Sequence, residues 1–375
     1  MSRHGNSLKV IHAVGARPNF VKMAPVIEAL GRLPDVRQLV VHTGQHYDAR
    51  LSTEMLTDLE LPEPDLFLGI GSGTHGAQTA KALSSFEEVL LREQPGLVVV
   101  AGDVNSTLAC ALAATKLGIP VAHIESGLRS GDWTMPEEIN RVLTDRLSDL
   151  LFTHSPEAAG HLEREGIAAE RVHFVGNTMI DSLRKYEARA RGRERWLEAE
   201  VEQGSYLLIT LHRPSNVDDP VRLNRIVDEL MLLGRHFPSL FPVHPRTLGR
   251  LEADGRLDQL EQAGVRCMPP VGYLDFLSLQ LGAGAILTDS GGVQEEASAL
   301  GVACYTFRPN TERPVTISQG TNTLLLDDPA AIAQVRLSPV PPTPCAIPLW
   351  DGHAADRVVD VISSTFDLGA LEATG

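Results

Sequence analysis

The chain has 375 residues, enough for two domains of ordinary size, each with its own hydrophobic core. Its 43% hydrophobic and 22% charged residues are typical of a soluble globular protein, and its apolar runs fall short of the roughly 20 residues of a membrane helix. A net charge of -15 argues against nucleic acid or an acidic membrane as a partner.

The first half of the chain alternates short apolar runs with helical patterns. Strands are predicted at residues 9–14, 38–42, 97–101, 121–124, 150–153 and 172–175, and helices at 21–30 and 108–117. This alternation is typical of a parallel sheet covered by helices.

The second half repeats the pattern after a charged segment, 184–203, which we expect to form a solvated helix that joins the two halves and ends at Gly204. Strands follow at 206–210, 240–243 and 285–288, with a helix at 222–233. The proline-rich segment 338–348 excludes a regular element and leads to a last helix at 354–363.

We therefore expect an α/β protein of two doubly wound Rossmann-like domains with an interdomain cleft. The first domain is predicted over residues 1–183 and the second over 204–350. The C-terminal segment 354–366 is expected to pack back on the first domain.

The four cysteines show neither disulfide nor metal-binding spacing. They are widely separated, and no CxxC or HExxH motif occurs. The polar residues 1–7 are followed by an apolar stretch too short for the core of a signal peptide. We therefore expect a cytoplasmic protein without a metal site.

The most informative motif is TDSGGVQEE at residues 288–296, between an apolar strand and a helix. Gly291 and Gly292 let the backbone approach a phosphate closely, and the helix N-terminus after Ser290 directs free N–H groups at it. Glu296 lies one turn into the helix, where its carboxylate can reach ribose hydroxyls. A tight turn without a ligand is the alternative.

Polar side chains follow several predicted strands, at the edge where ligands bind in open α/β sheets. One such residue commonly caps a helix, and capping is an alternative for Asp103. Several together, from both halves, are better explained by a shared site. They are Arg17, Lys22, Asp103, Glu125, His212 and His244.

Two further segments have structural explanations. Glu137 follows Pro136 in the first turn of a predicted helix and is spaced for an i,i+4 ion pair with Arg141. The segment GSGTHG at 71–76 matches the dinucleotide pattern GxGxxG, but the acidic residue about 20 positions on precedes a strand instead of ending one. We expect a flexible loop near the substrate there.

Together these motifs resemble those of the non-hydrolysing UDP-N-acetylglucosamine 2-epimerases, over about residues 8–360. The matching segments are GARP at 15–18, VKMAP at 21–25, TGQH at 43–46, GD at 102–103, HIESGLR at 123–129, PEEINR at 136–141, GNT at 176–178, TLHR at 210–213, TDSGGVQEE at 288–296 and TERP at 311–314. The resemblance implies the GT-B architecture, a homodimer, and interconversion of UDP-GlcNAc and UDP-ManNAc with no cofactor.

The resemblance also implies roles for individual residues. The acid/base candidates are Asp103, Glu125, Glu137 and His212. The substrate-binding candidates are Arg17, Lys22, His244, Phe276, Ser290, Gly291, Gly292, Glu296 and Arg313. In this set Ser290 and the two glycines hold the pyrophosphate, and Arg17, Lys22 and Arg313 add positive charge. Glu296 takes the ribose, and Phe276 packs near the uracil unless it is a core residue.

The implied chemistry is elimination followed by re-addition. The C2 proton of the sugar has no neighbouring carbonyl and is weakly acidic, so UDP leaves C1 while a base removes that proton to give 2-acetamidoglucal. UDP then adds back and the other face of C2 is protonated. Arginines and a helix N-terminus stabilise the leaving group, and neighbouring carboxylates serve as acid and base.

The sequence departs from many bacterial members at three places. The loop between Arg129 and Glu137 is shorter, Pro214-Ser215-Asn216 replaces Arg-Glu-Asn, and residues 69–76 lack an arginine that helps to hold a second, activating UDP-GlcNAc, although Gln45 and His244 remain. The same departures are compatible with a modified substrate such as a UDP-2,3-diacetamido sugar acid.

Three other functions remain open at this stage. A hydrolysing epimerase would add water to the glucal and release free ManNAc. A GT-B glycosyltransferase would need an acceptor site, for which the sequence gives no argument. A non-catalytic nucleotide-sugar sensor would not need Glu125 or Glu137.

The missing arginine predicts that activation by a second substrate molecule is weakened or lost. Initial rates should then depend hyperbolically on the UDP-GlcNAc concentration, which steady-state kinetics over a wide concentration range will measure. A strictly sigmoidal dependence would contradict this prediction.

Overall fold

The computed structural model describes residues 7–44, 57–338 and 345–368. The chain divides into two compact units, residues 1–182 with 348–375 and residues 183–347. Gln45 and His46, part of the TGQH match, lie outside the described residues. Within the described ranges, no helix combines the length and apolar character needed to cross a membrane.

The first unit contains a parallel sheet of seven strands in the order β3-β2-β1-β4-β5-β6-β7. The strands are β1 (Leu8–Val14), β2 (Val36–His42), β3 (Leu66–Phe67), β4 (Leu97–Ala101), β5 (Val121–Ser126), β6 (Leu150–Thr153) and β7 (Val172–Phe174). Every residue of β4 is buried, which explains its uninterrupted apolar sequence.

Helices connect these strands. They are α1 (Arg17–Leu30), α2 (His75–Glu93), α3 (Asn105–Lys116), α4 (Pro136–Leu147), α5 (Pro156–Arg164) and α6 (Thr178–Arg191). A core of Ile11, Val41, Phe86, Val98 and Val100 with their neighbours fills the space between part of the sheet and its helices.

The second unit contains a parallel sheet of six strands in the order β10-β9-β8-β11-β12-β13. Its strands are β8 (Leu207–Thr210), β9 (Ser239–Pro242), β10 (Val265–Met268), β11 (Ala285–Thr288), β12 (Cys304–Thr306) and β13 (Asn322–Leu324). The helices are α7 (Arg195–Glu198), α8 (Pro214–Val217), α9 (Pro220–Gly234), α10 (Pro245–Ala253), α11 (Leu257–Gln262), α12 (Tyr273–Gly282), α13 (Gly291–Leu300) and α14 (Val315–Ser318). Two Rossmann-like parallel-sheet units therefore confirm the predicted fold class.

The charged segment 184–203 does not form the single solvated helix that its sequence predicts. Helix α6 ends at Arg191, and Glu194 takes a left-handed conformation (φ 44°) before α7. Trp196 is buried and packs against Gly282, so the chain turns to bring its indole into the second unit. Burial of this one aromatic side chain outweighs continuation of the polar helix.

The segment 71–76 is only partly a loop. Helix α2 begins at His75 and runs for 19 residues, and the Thr74 side chain accepts from the N–H of Ala77 as its cap. Gln78 Nε2 donates to the carbonyl of Gly71 at 2.9 Å and ties the preceding turn to the helix. The expectation of a flexible loop over the whole segment is therefore wrong. Residues 345–348 are described and contain no helix or strand.

The last helix, α15 (Ala354–Thr365), belongs to the first unit. Asp181 of α6 caps it, because its carboxylate accepts from the backbone N–H of Ala354 at 3.1 Å and of Ala355 at 2.7 Å. Burial raises the pKa of Asp181 to about 6 in spite of these two donors, and the charges of Asp356 and Asp351 add to the rise.

The cap makes stability depend on pH in a defined direction. Because the folded-state pKa of Asp181 lies above its unfolded value of 3.8, the folded state binds more protons between these pH values. The unfolding free energy of the wild type relative to Asp181→Asn should fall by about 1–3 kcal/mol from pH 4 to pH 6 and then stay constant. Urea denaturation of both proteins over this pH range measures the difference in unfolding free energy. Asp35→Asn, which replaces an exposed carboxylate, is the control. A difference between wild type and Asp181→Asn that does not change with pH would contradict the prediction.

Candidate functional site

Each sheet has a point at which the order of its strands reverses, between β1 and β4 in the first unit and between β8 and β11 in the second. Ligands of doubly wound folds bind outside the carboxyl ends of the strands at such points. The segments that leave these four strands contain most of the predicted site residues.

In the first unit three polar side chains converge on Gly102, just after β4. A Cβ atom at Gly102 would lie 3.3 Å from Asn19 Nδ2, 3.3 Å from Lys22 Nζ and 3.4 Å from Glu125 Oε2, and its φ is +69°. Lys22 and Glu125 form an ion pair with both side chains less than 10% exposed. The structure thus brings two predicted site residues, Lys22 and Glu125, into direct contact.

Glu125 has a backbone conformation that is rare for a residue with a side chain. Its φ is +67°, and the pairing of β5 with β6 shifts register between Ile124 and Ser126. Such conformations cost about 1–3 kcal/mol and occur preferentially at functional sites. The ion pair with Lys22 holds the carboxylate while the bulge redirects it out of the strand.

Asp103 does not cap the following helix, since the N-cap of α3 is Val104. Its carboxylate instead accepts from Arg141, and its backbone carbonyl accepts from Asn140 Nδ2 at 2.9 Å. Arg141 also donates to Glu138, whose carboxylate binds the backbone of Ser130 and Gly131. Arg141 therefore joins Asp103 to Glu138, where spacing alone suggested a pair with Glu137.

Glu137 lies in the first turn of α4 and is partly exposed. It is one helical turn before Asn140 and Arg141, so it shares their face of the helix. Arg17 is the first residue of α1, and the position of its side chain lies outside what the structure describes.

A buried histidine supports the same turn, a role that is not predictable from its sequence context. His123 of β5 is fully buried, with Nε2 at 2.8 Å from the Gly102 carbonyl and Nδ1 at 2.7 Å from Asp145. Burial alone would raise the pKa of Asp145, but His123 and Arg129 outweigh burial and hold that pKa below its usual range. This pairing fixes the peptide that precedes Asp103.

In the second unit α13 begins at Gly291, with Ser290 as the N-cap. Ser290 makes no side-chain capping bond among the described residues, and its own N–H donates to Thr288 Oγ1 at 2.9 Å. In the part of the chain that the structure describes, Ser290 therefore supplies no side-chain cap to the first N–H groups of the helix. An uncapped helix start at a strand-order reversal is a suitable place for an anion.

Arg313 lies directly against this turn. A Cβ atom at Gly291 would come within 2.3 Å of its guanidinium, which is itself paired with Glu312 and, at 3.0 Å, with Glu295. Arg308 binds the other oxygen of Glu312, and all four charged side chains are at most 6% exposed. The close approach requires glycine at position 291.

The two predicted histidines lie next to each other. The ring centroids of His212 and His244 are 5.5 Å apart. His244 is the N-cap of α10 and accepts from the N–H of Arg246 at 3.2 Å through Nδ1. His212 is 39% exposed at its side chain, and its Nδ1 lies 3.0 Å from Asp289.

Glu296 and the helix α12 form the far side of this region. Gln280 Nε2 donates to Glu296 at 2.6 Å, and burial raises the pKa of Glu296 to about 7 in spite of that bond. Phe276, four residues before Gln280 on α12, is partly exposed. The Gln280 bond places α12 next to Glu296 of α13.

Sequence reasoning missed one cation here. Arg213 donates from Nε to the backbone carbonyl of Asp289 at 3.0 Å and keeps 23% of its side chain exposed. Arg213 belongs to the LHR segment after β8, in which sequence reasoning predicted only His212 as a site residue.

Comparisons with known proteins point to one family. Residues 28–363 match the family model for UDP-N-acetylglucosamine 2-epimerase. The enzyme of that name from Methanocaldococcus jannaschii is 41% identical over 95% of this chain and 99% of its own length. A UDP-2,3-diacetamido-2,3-dideoxy-D-glucuronate 2-epimerase from Pseudomonas aeruginosa is 43% identical over 85% of this chain and 88% of its own.

Solved structures agree. The crystal structure of the M. jannaschii enzyme in complex with UDP-GlcNAc and UDP superposes with a TM-score of 0.87, covering 95% of this chain and all of that one at 40% identity. The Neisseria meningitidis enzyme bound to UDP-GlcNAc gives a TM-score of 0.84 at 28% identity, with 95% and 100% of the two chains covered. The fold is that of a nucleotide-sugar enzyme with GT-B architecture. The chain belongs to the UDP-N-acetylglucosamine 2-epimerase family.

The contact between Gly291 and Arg313 predicts the effect of one methyl group. Gly291→Ala should lower the unfolding free energy by about 1–3 kcal/mol, because the new Cβ must displace a buried, paired guanidinium. Gly249→Ala in α10 is the matched control, since a Cβ there meets nothing within 4 Å and alanine favours a helix. Equal stability of the two variants in urea denaturation would contradict the prediction.

Proposed function

We propose that this chain is a non-hydrolysing UDP-N-acetylglucosamine 2-epimerase that interconverts UDP-GlcNAc and UDP-ManNAc. The proposal rests on the occurrence of two structural features in one chain, a helix start suited to an anion and a set of carboxylates suited to acid/base catalysis. In the second unit an uncapped helix start follows β11. In the first unit the Asp103 carboxylate follows β4, and the Glu125 carboxylate lies at the irregularity near the end of β5.

The second unit is proposed to hold UDP. The N–H groups around Ser290, Gly291 and Gly292 bind the pyrophosphate, because the helix start supplies donors and a favourable dipole. Arg313 contributes by supporting the turn against which it packs, and Arg17 and Lys22 add charge from the first unit. Glu296 binds the ribose hydroxyls, with Phe276 near the uracil and His244 next to His212.

The first unit is proposed to supply the acid/base groups, Asp103, Glu125 and Glu137, and the second unit supplies His212. In the elimination the C1–O bond breaks and its electron pair leaves with UDP, while a base takes the C2 proton. In the return step the UDP oxygen attacks C1 and a protonated acid delivers a proton to the other face of C2. Two separate carboxylates suit this sequence because one must be protonated when the other is not.

The ionic contacts of these carboxylates support their assignment. Each of these two carboxylates has a cation in ion-pair contact, Lys22 for Glu125 and Arg141 for Asp103. The same cations provide fixed electrostatic stabilisation as charge moves onto the leaving group, and fixed dipoles and charges are effective because they need no reorganisation.

A modified sugar is the second candidate substrate. The observation in its favour is the P. aeruginosa relative, a UDP-2,3-diacetamido-2,3-dideoxy-D-glucuronate 2-epimerase, which is as similar in sequence as the named UDP-GlcNAc 2-epimerases. The elimination chemistry would be unchanged, because the added groups lie at C3 and C6. Comparison of kcat/KM for the two sugars decides between these substrates.

The proposal also includes the location and the oligomeric state of the enzyme. We propose that the enzyme acts in the cytoplasm, where nucleotide sugars are made, and as a homodimer. Light scattering after size-exclusion chromatography measures the latter.

An NMR time course with UDP-GlcNAc in deuterated water tests the proposed reaction. We expect a UDP-ManNAc anomeric signal with deuterium at C2, because the abstracted proton exchanges with solvent. Glu125→Gln is the matched control for contaminating enzyme and should slow exchange at least about a hundredfold.

Other products identify the other functions. Free ManNAc would indicate a hydrolysing enzyme. Unchanged UDP-GlcNAc together with tight UDP binding would exclude this substrate and favour the diacetamido sugar or transfer to an acceptor.

A further inference from the structure

Asp289, the residue before the Ser290–Gly292 turn, is a carboxylate with no exposure to solvent. It accepts hydrogen bonds from two backbone N–H groups, those of His212 and Arg213, and from the side chain of Asn216. The His212 ring lies against it as well, with Nδ1 at 3.0 Å. All of the partners that the structure describes for this carboxylate face it with nitrogen.

The two oxygens of Asp289 have different surroundings. Oδ2 accepts from Arg213 N at 2.9 Å and from Asn216 Nδ2 at 3.1 Å. The backbone N–H of His212 donates to both oxygens, at 3.1 Å from Oδ1 and 3.0 Å from Oδ2, and Oδ1 also lies 3.0 Å from His212 Nδ1. Both oxygens therefore hold the turn after β8, and only Oδ1 also faces the imidazole.

A buried, ionised carboxylate determines which nitrogen of a neighbouring imidazole carries hydrogen. Burial alone would raise the pKa of Asp289, but His212 and the N–H donors outweigh it and hold that pKa below its usual range. The ionised carboxylate can only accept, so the nitrogen that faces it must carry hydrogen. The hydrogen of His212 is thereby placed on Nδ1, and Nε2 lies on the opposite side of a partly exposed ring.

We propose that Asp289 is a positioning residue that keeps one proton on His212 Nδ1 and confines proton exchange with the substrate's diphosphate to Nε2. This inference rests on the proposed function, in which His212 touches the substrate. In the substrate complex the ring is cationic and carries a second proton on Nε2; as the C1–O bond breaks, this second proton passes to the leaving phosphate oxygen, and the ring is left neutral with its Nδ1 proton. When UDP adds back, the same proton returns to Nε2.

Asp289→Asn tests this role with almost no change in shape. The amide oxygen should occupy the Oδ2 position, where it keeps the donors Arg213 N and Asn216 Nδ2. The NH₂ group then faces His212 Nδ1 and forces that nitrogen to accept. The backbone N–H of His212 loses its acceptor at the Oδ1 position, 3.1 Å away, and keeps the one at the Oδ2 position, 3.0 Å away. The ring must carry its single proton on Nε2, and it cannot release that proton to the phosphate.

The direct measurement is the tautomer of His212, by ¹⁵N NMR of protein labelled in its histidine rings. Comparison with His212→Gln assigns the signal. We expect a protonated Nδ1 in the wild type and an unprotonated Nδ1 in Asp289→Asn. An unprotonated Nδ1 in the wild type overturns the inference even if the variant fails to fold.

Kinetics provide the second measurement. We expect Asp289→Asn to lower kcat at least about a hundredfold with little change in KM, because an inverted tautomer removes a proton transfer and leaves binding intact. Asn216→Ser is the matched control: it removes a different bond to the same carboxylate and should lower stability but leave the tautomer and kcat unchanged. A comparable loss of kcat in both variants would show a merely structural role and overturn the inference.

The two readouts separate this inference from the proposed function. The tautomer is measured without turnover, so an Nδ1 that is protonated only when Asp289 is present supports the positioning role whatever the substrate is. Absence of UDP-GlcNAc epimerisation in the wild type would count against the proposed function alone.

Discussion

Burial of charge is the constraint on which both site turns depend. A charged group that leaves water needs a partner of opposite charge or several hydrogen bonds. Loss of one partner leaves the other charge buried and unpaired. In the first unit Asp145 is held by His123 and Arg129, and Arg141 joins Glu138 to Asp103. These contacts fix side chains that would otherwise be free to rotate.

In the second unit several buried charged side chains lie around a single helix start, and each of them needs a partner for the same reason. Arg313 is matched by two glutamates on one side of the Ser290–Gly292 turn, while Asp289 takes nitrogen donors on the other. The Ser290 N–H is bound to Thr288, so the N–H groups of Gly291 and Gly292, which receive no side-chain cap from Ser290, are the donors of the turn that we propose for an anion. Preorganised donors of this kind stabilise a leaving phosphate without the reorganisation that water requires.

The fold was predictable because its signals are local and repeated. Apolar runs such as residues 97–101 and 285–288 have the length and β-branched content of buried parallel strands, and both predictions match the structure. The error at 184–203 has a physical cause, since charge composition predicted a solvated helix but could not reveal that Trp196 has a core to enter. Tertiary burial of one side chain overrides local propensity.

The site was predictable in outline and not in its contacts. Residues after strand ends can be located from sequence, which is how Asp103, Glu125 and His212 were selected. Their partners come from other elements: Arg141 reaches Asp103 from a helix 38 positions on, and Asp289 reaches His212 from 77 positions on. Spacing along one helix favoured a pair of Glu137 with Arg141, because local rules cannot see a competing carboxylate on a neighbouring loop.

The return of the chain to its first unit has a consequence for biosynthesis. Residues 183–347 leave the ribosome before α15, which completes the first unit and is capped by Asp181. The second unit thus has its whole sheet available for folding while the first still lacks its last helix. Nascent chains fold domain by domain as they emerge, so the second unit can become native before α15 completes the first unit.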